Sequence, residues 1–549
     1  MTARTGGQIV VDSLVAHGVT TTFGVPGESY LAVLDALHDT DIDVITCRQE
    51  GGAAYMAEAW AKLTGRVGVC LVTRGPGATN ASIGIHAAMQ ASTPMVMLVG
   101  QVATHEQGRE AFQEIDYRDM FGGVAKWATE MRSADEASVV MAQAFHAAAA
   151  GRPGPVVVAL PEDVLGAVSE TALVKPLPVD PQTPGADEVD AVLTALARAE
   201  RPVLLVGGGG WTDEARADLR AVAEAHEVPV VVTFRRHDLM DNTSASYAGE
   251  AGVAMPPPVR ATLEDADCVI AIGPRFGEMT TAAWSIWPVG DPGITLVHVH
   301  PDPSQHGKIH TPTVAITARP AAMVAELRSR TAAPPVHGAW RDARRAAYVA
   351  SLDAPPQPGP LDMGEVMAWL RANLPPTAVL TNGAGNFSVW PNKFFVYGPE
   401  ARLLAPQAGS MGYGLPAAVA AKVADPARTV VCFAGDGDVQ MNLQELGTGL
   451  QHDAQPIVLV VDNGMYGTIR MHQERHFPER IVGTDIVNPD FVALARAYGM
   501  HAERVDATAD FPDAFGRAEA SPTGALLHLP VDAQQLTPTQ SITQARGEA

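Results

Sequence analysis

The most regular feature of the chain is an alternation of short apolar runs with longer, Ala-rich stretches at helical spacing. The runs are rich in Val, Ile and Leu and lack the strict polar alternation of a half-exposed strand. Such runs are typical of parallel strands that helices cover on both faces. The sequence therefore predicts the α/β class, with doubly wound parallel sheets. The runs lie at 67–74, 94–100, 155–161, 202–210, 229–234, 268–273, 295–300, 377–383, 429–437 and 456–463.

Two Pro-rich stretches interrupt this rhythm, at 175–188 and 332–360. Their composition is typical of exposed linkers between domains. With 549 residues the chain is long enough for several domains. The sequence predicts three of them, at 1–170, 188–330 and 360–535.

Composition and charge narrow the function classes. The formal net charge is −23, and no Lys/Arg stripe stands out, which argues against nucleic acid or an anionic membrane as a partner. No run approaches the roughly 20 apolar residues that cross a bilayer. The four cysteines have no paired spacing, which favours a reducing compartment. We therefore expect a cytoplasmic protein.

A candidate metal site lies in the C-terminal part. Gly435-Asp436-Gly437 directly follows an apolar run, and Asn463 ends the next one, one αβ unit later. Alone, the first motif could be a tight turn with a capping Asp. If the two runs are neighbouring parallel strands, however, Asp436 and Asn463 lie side by side, and Mg²⁺ prefers such oxygen ligands. Gly435 and Gly437 would let backbone N–H groups approach an anion.

Glu50 is the candidate acid–base residue in the N-terminal part. It follows the strand-like DIDVITC and begins an Ala-rich helix, flanked by Gly51 and Gly52. A surface glutamate at a helix start is the structural alternative. The neighbouring loops GVPG (24–27) and GPGATN (75–80) favour a functional role.

Taken together, these motifs resemble the acetohydroxyacid synthase and pyruvate oxidase family of thiamine diphosphate enzymes. The resemblance extends over essentially the whole chain, including PVVVALPEDV at 155–164 and SMGYGLPAA at 410–418. It implies a pyrimidine-binding domain, a central domain and a diphosphate-binding domain, in that order. It also implies thiamine diphosphate and Mg²⁺ as cofactors and a 2-oxo acid as the substrate.

The resemblance also implies roles for single residues. Glu50 would hydrogen-bond N1′ of the aminopyrimidine, and Gln113 of the FQE element would line the substrate side. The carbonyl of Met465 would complete the metal ligands with Asp436 and Asn463. The other implied cofactor contacts are Asn386 beside the diphosphate, the Gly409 carbonyl at the 4′-amino group, and Met411 under the ring junction.

The choice of reaction depends on the segment 462–491, which resembles the active-site lid of acetohydroxyacid synthases. It favours a carboligase that decarboxylates pyruvate or a related 2-oxo acid. His472 stands where biosynthetic members have Trp, and TNGAGNF (381–387) departs from their pattern. A decarboxylase or lyase for another 2-oxo acid or acyloin therefore stays open, as does a non-catalytic cofactor-binding homologue.

The sequence of the central part leaves open whether the protein binds FAD. IGPRFGEMT resembles the flavin-contacting segment of some members, with Arg275 as the contact. Thr212 stands where a GxGxxG turn needs Gly, which disfavours a Rossmann dehydrogenase. A nucleotide-binding scaffold is the remaining non-enzyme alternative. The family resemblance also implies that Glu50 and the GDG site (435–437) of one active site come from different subunits. A homodimer is therefore the expected minimum, and a homotetramer is the expected assembly. A regulatory small subunit is a further partner that the resemblance allows.

Overall fold

The computed structural model describes residues 3–253, 255–330 and 337–547. The chain folds into two compact units. The first joins Met1–Asp180 to Pro406–Ala427 and Met441–Pro456. The second comprises Pro181–Ala405, Arg428–Gln440 and Ile457–Ala549. None of the described helices is long and apolar enough to cross a membrane.

The first unit is built around an N-terminal sheet of six parallel strands. Its elements are β1 (Arg4–Thr5), α1 (Gly6–Ala16), β2 (Thr21–Gly24), α2 (Leu31–Leu37), β3 (Asp43–Thr46), α3 (Glu50–Thr64), β4 (Gly68–Val72), α4 (Pro76–Ala91), β5 (Met95–Gln101), α5 (Tyr117–Phe121), β6 (Trp127–Glu130), α6 (Ala137–Ala149), β7 (Pro155–Pro161), α7 (Glu162–Gly166) and β8 (Val168–Ser169). The sheet order is β3-β2-β4-β5-β7-β6, and β1 pairs with β8 outside it. Strands β4, β5 and β7 are buried along their whole length, which explains their continuous apolar runs.

A second sheet of six parallel strands forms the central part. Its elements are α8 (Ala186–Arg198), β9 (Pro202–Val206), α9 (Asp213–Ala225), β10 (Val230–Thr233), β11 (Tyr247–Ala251), α10 (Pro257–Glu264), β12 (Cys268–Ile272), β13 (Thr295–Val299), β14 (Val314–Ile316), α11 (Pro320–Ser329) and α12 (Gly338–Ala350). The order β11-β10-β9-β12-β13-β14 is that of a doubly wound sheet. It reverses between β9 and β12, where such sheets bind ligands.

Helix α12 lies inside the stretch that the sequence predicts as the second linker. Trp340 Nε1 donates to the carbonyl of Pro202 over 2.9 Å, and Tyr348 packs edge-on against Tyr247 at 4.9 Å. The segment is therefore attached to the central sheet rather than exposed throughout. Residues 332–336 of the predicted linker lie outside the described residues.

The third parallel sheet lies in the C-terminal part. Its elements are α13 (Met363–Asn373), β15 (Val379–Asn382), α14 (Val389–Phe394), β16 (Arg402–Leu404), α15 (Gly414–Ala424), β17 (Val430–Gly435), α16 (Asp436–Val439), α17 (Leu446–Gln451), β18 (Ile457–Asp462), α18 (Gly467–His476), α19 (Phe491–Ala497), β19 (His501–Arg504), α20 (Phe511–Glu519), β20 (Ala525–Pro530), β21 (Gln535–Thr537), β22 (Gln540–Ser541) and α21 (Ile542–Arg546). The sheet order is β16-β15-β17-β18-β20-β19, and β21 pairs with β22.

The three parallel sheets confirm the predicted class, three α/β domains in sequence. The domain boundaries 1–170, 188–330 and 360–535 stay a prediction. Because all strands of each sheet run in the same direction, the loops at their carboxyl ends gather at one edge. Glu50, Arg275, Asp436 and Asn463 all follow strands of these sheets, so the fold brings candidate residues to such edges.

Candidate active site

The predicted site residues divide between the two compact units. The first unit contains Glu50, Gln113, Gly409 and Met411; the second contains Arg275, Asn386, Gly435, Asp436, Gly437, Asn463 and Met465.

Glu50 is the first residue of α3, and its side chain is half-buried. The helix is capped by Gln49, whose Oε1 accepts the N–H of Gly52 at 3.0 Å. Asn80 Nδ2, on α4, donates to Glu50 Oε2 at 2.9 Å. The carboxylate is therefore held in one orientation, with Oε1 left to other partners.

Gln113 lies on the loop after β5, in a left-handed conformation with φ of 66°. Gly75, the residue before α4, lies directly against it: a Cβ there would be 2.7 Å from the Gln113 carbonyl oxygen. A Cβ at Gly77 would be 3.5 Å from Glu50 Oε1. The start of α4 therefore borders both Glu50 and Gln113.

Gly409 and Met411 lie on the loop that leads into α15. Gly409 has a φ of 68°, which suits glycine, and its N–H donates to the Pro406 carbonyl at 2.9 Å. Met411 is half-buried. The loop is fixed to α3 because Tyr413 donates to Glu58 Oε2 over 2.5 Å. The contacts predicted for Gly409 and Met411 with a cofactor stay predictions.

Asp436 follows β17 and Asn463 follows β18, and these two strands are neighbours. Gly435 lies opposite Val461 in the ladder, so the two loops start level with each other. The structure therefore places the loops that carry Asp436 and Asn463 at the same edge of the sheet. Gly437 is needed at this edge because a Cβ there would lie 2.6 Å from the ring of Tyr466.

The sequence did not single out Asn488, which joins two carboxylates at this edge. Its Nδ2 donates to Asp436 Oδ2 at 2.7 Å and to Asp462 Oδ1 at 2.8 Å. His528 Nε2 lies 2.8 Å from the other Asp462 oxygen. Asn488 is the first residue of the NPDF element at 488–491, which is the sequence feature that points to it.

The electrostatics of this edge suit a cation. Burial raises the pKa of Asp436 above its usual range, and the nearby Asp462 adds to the rise. For Asp462, burial also acts to raise the pKa, but the hydrogen bonds from His528 and the Gly464 N–H, together with the charge of His528, outweigh it, and the net shift is downward. An ionised Asp436 in this place is costly unless a positive charge compensates it.

The other predicted site residues at this edge form hydrogen bonds within the loops that follow the strands. Asn463 Oδ1 accepts the N–H of the buried Met465 at 3.3 Å, closing the turn after β18. Asn386 accepts a hydrogen bond from Thr468 at 2.9 Å. Asp436, Asn463 and the Met465 carbonyl supply only oxygen atoms, as Mg²⁺ prefers. The donor set therefore fits that ion, although no cluster of three or more His, Cys, Asp or Glu residues suited to a metal is found in the described parts of the chain.

In the central sheet, Arg275 follows β12 and is half-buried beside the point where the strand order reverses. The helix that follows the Gly-rich turn does not suit a diphosphate. Asp213 and Glu214 occupy the first turn of α9, and Thr212 already caps it by accepting the N–H of Ala215 at 3.1 Å. The Gly-rich turn therefore does not support a bound dinucleotide such as FAD, and the flavin contact of Arg275 stays a prediction.

Three family models match the chain. The N-terminal TPP binding domain of thiamine pyrophosphate enzymes matches residues 4–120, the central domain matches 189–327, and the C-terminal TPP binding domain matches 383–529. These ranges fall on the three parallel sheets. Fold and models together define a thiamine pyrophosphate enzyme.

Similarity to individual proteins extends over almost the whole chain. The acetolactate synthase large subunit of Parasynechococcus marenigrum is 34% identical, over 91% of this chain and 83% of its own. The large subunit of acetolactate synthase isozyme 2 of Escherichia coli is 32% identical over 96% and 95%. A probable acetolactate synthase large subunit of Methanocaldococcus jannaschii is 31% identical over 97% and 93%. The chain belongs to the acetolactate synthase-like branch of the thiamine pyrophosphate enzyme family.

These findings confirm the resemblance drawn from the sequence motifs, and with it an enzyme that uses thiamine diphosphate. The individual roles of Glu50, Gln113, Asn386, Arg275 and the other site residues stay predictions.

Proposed function

We propose that this enzyme is a carboligase that decarboxylates pyruvate or a close 2-oxo acid and joins the acyl unit to a second carbonyl compound. The bond to the carboxylate breaks and CO₂ leaves. The electron pair left behind forms the new carbon–carbon bond, and the acceptor oxygen takes up a proton. The observation that carries the proposal is Glu50, oriented by Asn80 at the head of α3, in a chain similar over nearly its whole length to acetolactate synthase large subunits.

Thiamine diphosphate, when bound, supplies the electron sink for the acyl carbanion. The protein must hold a proton at N1′ of the aminopyrimidine, and Glu50 is the residue for this task. Asn80 fixes one carboxylate oxygen, leaving the other for the cofactor. Gln113 would line the substrate side, the Gly409 carbonyl would take the 4′-amino group, and Met411 would support the ring junction.

Asp436, Asn463 and the Met465 carbonyl would hold Mg²⁺, and the ion would neutralise the diphosphate. The burial of Asp436 supports this role, because an ionised carboxylate in a buried place needs a positive charge beside it. Gly435, Gly437 and Asn386 would contact the diphosphate at the same edge. FAD, with Arg275 as its contact, stays a prediction of the family resemblance, and no step of the proposed reaction uses it.

The proposed assembly is a homodimer at minimum, and a homotetramer in the complete enzyme. Two of the similar proteins described above are named large subunits of acetolactate synthase and a third a probable one, which supports a regulatory small subunit as a further partner.

A decarboxylase or lyase is the second candidate, and His472 is the observation that favours it. This residue is exposed on α18, with its ring stacked 6.3 Å from that of His476. The resemblance places a Trp of the biosynthetic enzymes there, so the second substrate would meet a different surface.

Product analysis tests the proposal. The enzyme is incubated with thiamine diphosphate, Mg²⁺ and pyruvate, alone and with a panel of second 2-oxo acids and aldehydes. Acetolactate or a related carboligation product supports the proposal. Release of acetaldehyde alone would favour the decarboxylase, and cofactor binding without any product from pyruvate would refute the pyruvate assignment.

Exchange of the C2 proton of bound thiamine diphosphate tests Glu50 separately. We expect Glu50→Gln to slow the exchange by roughly 100-fold or more, since that is the usual size of an acid–base contribution. Glu519→Gln, at an exposed position of α20, is the matched control and should exchange at the wild-type rate. Wild-type exchange in Glu50→Gln would refute the role given to Glu50.

A further inference from the structure

The loop that leads to Glu50 is hydrogen-bonded to the segment 441–456 of the same compact unit. Thr46 N–H donates to His452 Nε2 at 3.0 Å. The Arg48 guanidinium donates to Gln451 Oε1 at 2.7 Å and to the Gly447 carbonyl at 3.4 Å. The residues just before α3 are therefore fixed by partners about 400 positions later in the chain.

Glu445 is the central group of this contact. Its side chain is fully buried, and both carboxylate oxygens accept the backbone N–H of Arg48, each at 3.3 Å. Thr448 Oγ1 donates to Oε2 at 2.6 Å. Burial raises the pKa of Glu445, while the hydrogen bonds from Thr448 and Arg48 act against the rise. Buried polar groups in folded proteins are normally hydrogen-bonded, and both oxygens of this buried carboxylate are. The contact is therefore a specific part of the fold.

Gly52 lets Glu445 approach the first turn of α3. A Cβ at position 52 would lie 2.6 Å from Glu445 Oε1. Glu445 thus touches the chain two residues before Glu50, at Arg48, and two residues after it, at Gly52. The positive end of a helix dipole also favours a carboxylate at this place.

We propose that Glu445 is a positioning residue for Glu50: it holds the first turn of α3 so that the Glu50 carboxylate meets the cofactor in the reactive orientation. The proposal rests on the proposed role of Glu50. Removing the Glu445 carboxylate leaves the Arg48 N–H without its acceptor and opens space beside Gly52. Because a displacement of about 1 Å can cost a factor of 100 in rate, the turn need not unfold for the reaction to suffer.

Asp241 provides a matched control. It too is buried, and it accepts the Thr243 N–H at 2.8 Å and the Thr243 hydroxyl at 2.7 Å and pairs with Arg220. It lies between β10 and β11, in the other compact unit, and none of the predicted cofactor contacts depends on it. Loss of this carboxylate should lower stability without displacing the first turn of α3.

The test compares C2-proton exchange of thiamine diphosphate, bound at saturation with Mg²⁺, in the full-length variants. We expect Glu445→Ala to slow exchange more than tenfold and Glu445→Gln to be intermediate, because its amide oxygen still accepts the Arg48 N–H. Asp241→Ala should exchange near the wild-type rate, although its melting temperature falls as that of Glu445→Ala does. Equal exchange in Glu445→Ala and Asp241→Ala would overturn the proposal.

Two further results keep the test decisive. If Glu445→Ala does not fold, the amide variants Glu445→Gln and Asp241→Asn decide: slower exchange in the first supports the proposal, and equal rates overturn it. Glu50→Gln is measured alongside. If that variant exchanges normally, the role of Glu50 fails and the proposal for Glu445 falls with it; if it is slow while Glu445→Ala is normal, only the positioning role fails.

Discussion

At the scale of single residues, the sheet edge with the candidate metal ligands depends on glycines at positions where no side chain would fit. A Cβ at Gly435 would lie 2.7 Å from the Phe387 ring, and one at Gly383 would overlap the Asp438 carboxylate. Asp438 is buried and accepts the N–H of Ala384 at 3.0 Å, which ties the loop after β15 to α16. The loops at this edge are therefore packed directly on one another.

This packing predicts the effect of Gly383→Ala. The added methyl must displace Asp438, and such overpacking costs about 1–3 kcal/mol. We expect a lower melting temperature and a weaker affinity for Mg²⁺ and thiamine diphosphate, measured by thermal unfolding and calorimetry. Gly516→Ala is the control: Gly516 lies inside α20 with nothing within 4 Å of an added Cβ, so alanine should raise helix stability. Equal melting temperatures for the two variants would contradict the packing argument.

The sequence predicts some of these residues and not others, for a physical reason. Asp436 and Asn463 follow apolar runs, so the rule for parallel strands places them without knowledge of other contacts. Asn488 and Glu445 act through contacts with residues that are far away in the chain, 52 positions for Asn488 to Asp436 and 397 for Glu445 to Arg48. No local periodicity predicts such contacts.

At the scale of helices and strands, the fully buried strands were the easiest to predict. Strands such as β5 and β9 are continuous apolar runs because both faces are covered. The prediction was less complete at 332–360, where Pro-rich composition obscures α12. The large apolar side chains that anchor this helix, Trp340 and Tyr348, are only two and stand among charged residues.

The elements after β20 pack on α18, the helix that carries His472. Leu536, Ile542 and Ala545 form an apolar cluster with Met465 and Met471. The cluster therefore includes Met465, the residue whose carbonyl is a candidate metal ligand.

An ion pair strengthens this attachment and leads to a prediction for Arg546→Ala. Arg546 binds both oxygens of Glu474, at 2.7 and 2.9 Å, and Glu474 also accepts from Arg470 at 2.8 Å. Hydrogen bonds to charged groups contribute about 1.5–3 kcal/mol. We expect Arg546→Ala to speed amide hydrogen exchange in 467–476 and to raise KM for the second substrate more than it lowers kcat. Arg517→Ala, which breaks a more exposed pair with Glu503, is the control. Unchanged exchange in α18 would show that the apolar cluster alone holds the helix.

At the scale of the whole molecule, the predicted catalytic groups lie in different compact units of one chain. Glu50 belongs to the first unit and Asp436 to the second. The family resemblance implies that a complete site takes Glu50 from one subunit and Asp436 from its partner. A symmetric dimer would then have two sites, each shared between the chains.

Mixing two inactive variants tests this arrangement. Glu50→Gln and Asp436→Ala should each be inactive alone. In a mixed dimer, one site receives both substitutions and the other receives neither. Random assortment on co-expression makes about half of the dimers mixed, so about a quarter of all sites are intact. We expect roughly that fraction of the wild-type rate of 2-oxo acid consumption.

The result separates a shared site from a site within one chain. If Glu50 and Asp436 of the same chain served one cofactor, every site in the mixture would carry a substitution, and the activity would not exceed that of the separate variants. Co-expression of Glu50→Gln with Glu445→Ala is the matched control. Both substitutions affect the first unit, so every shared site contains one of them and no wild-type site forms. Recovery in the first mixture but not in the second would establish that the two units of each chain contribute to different active sites.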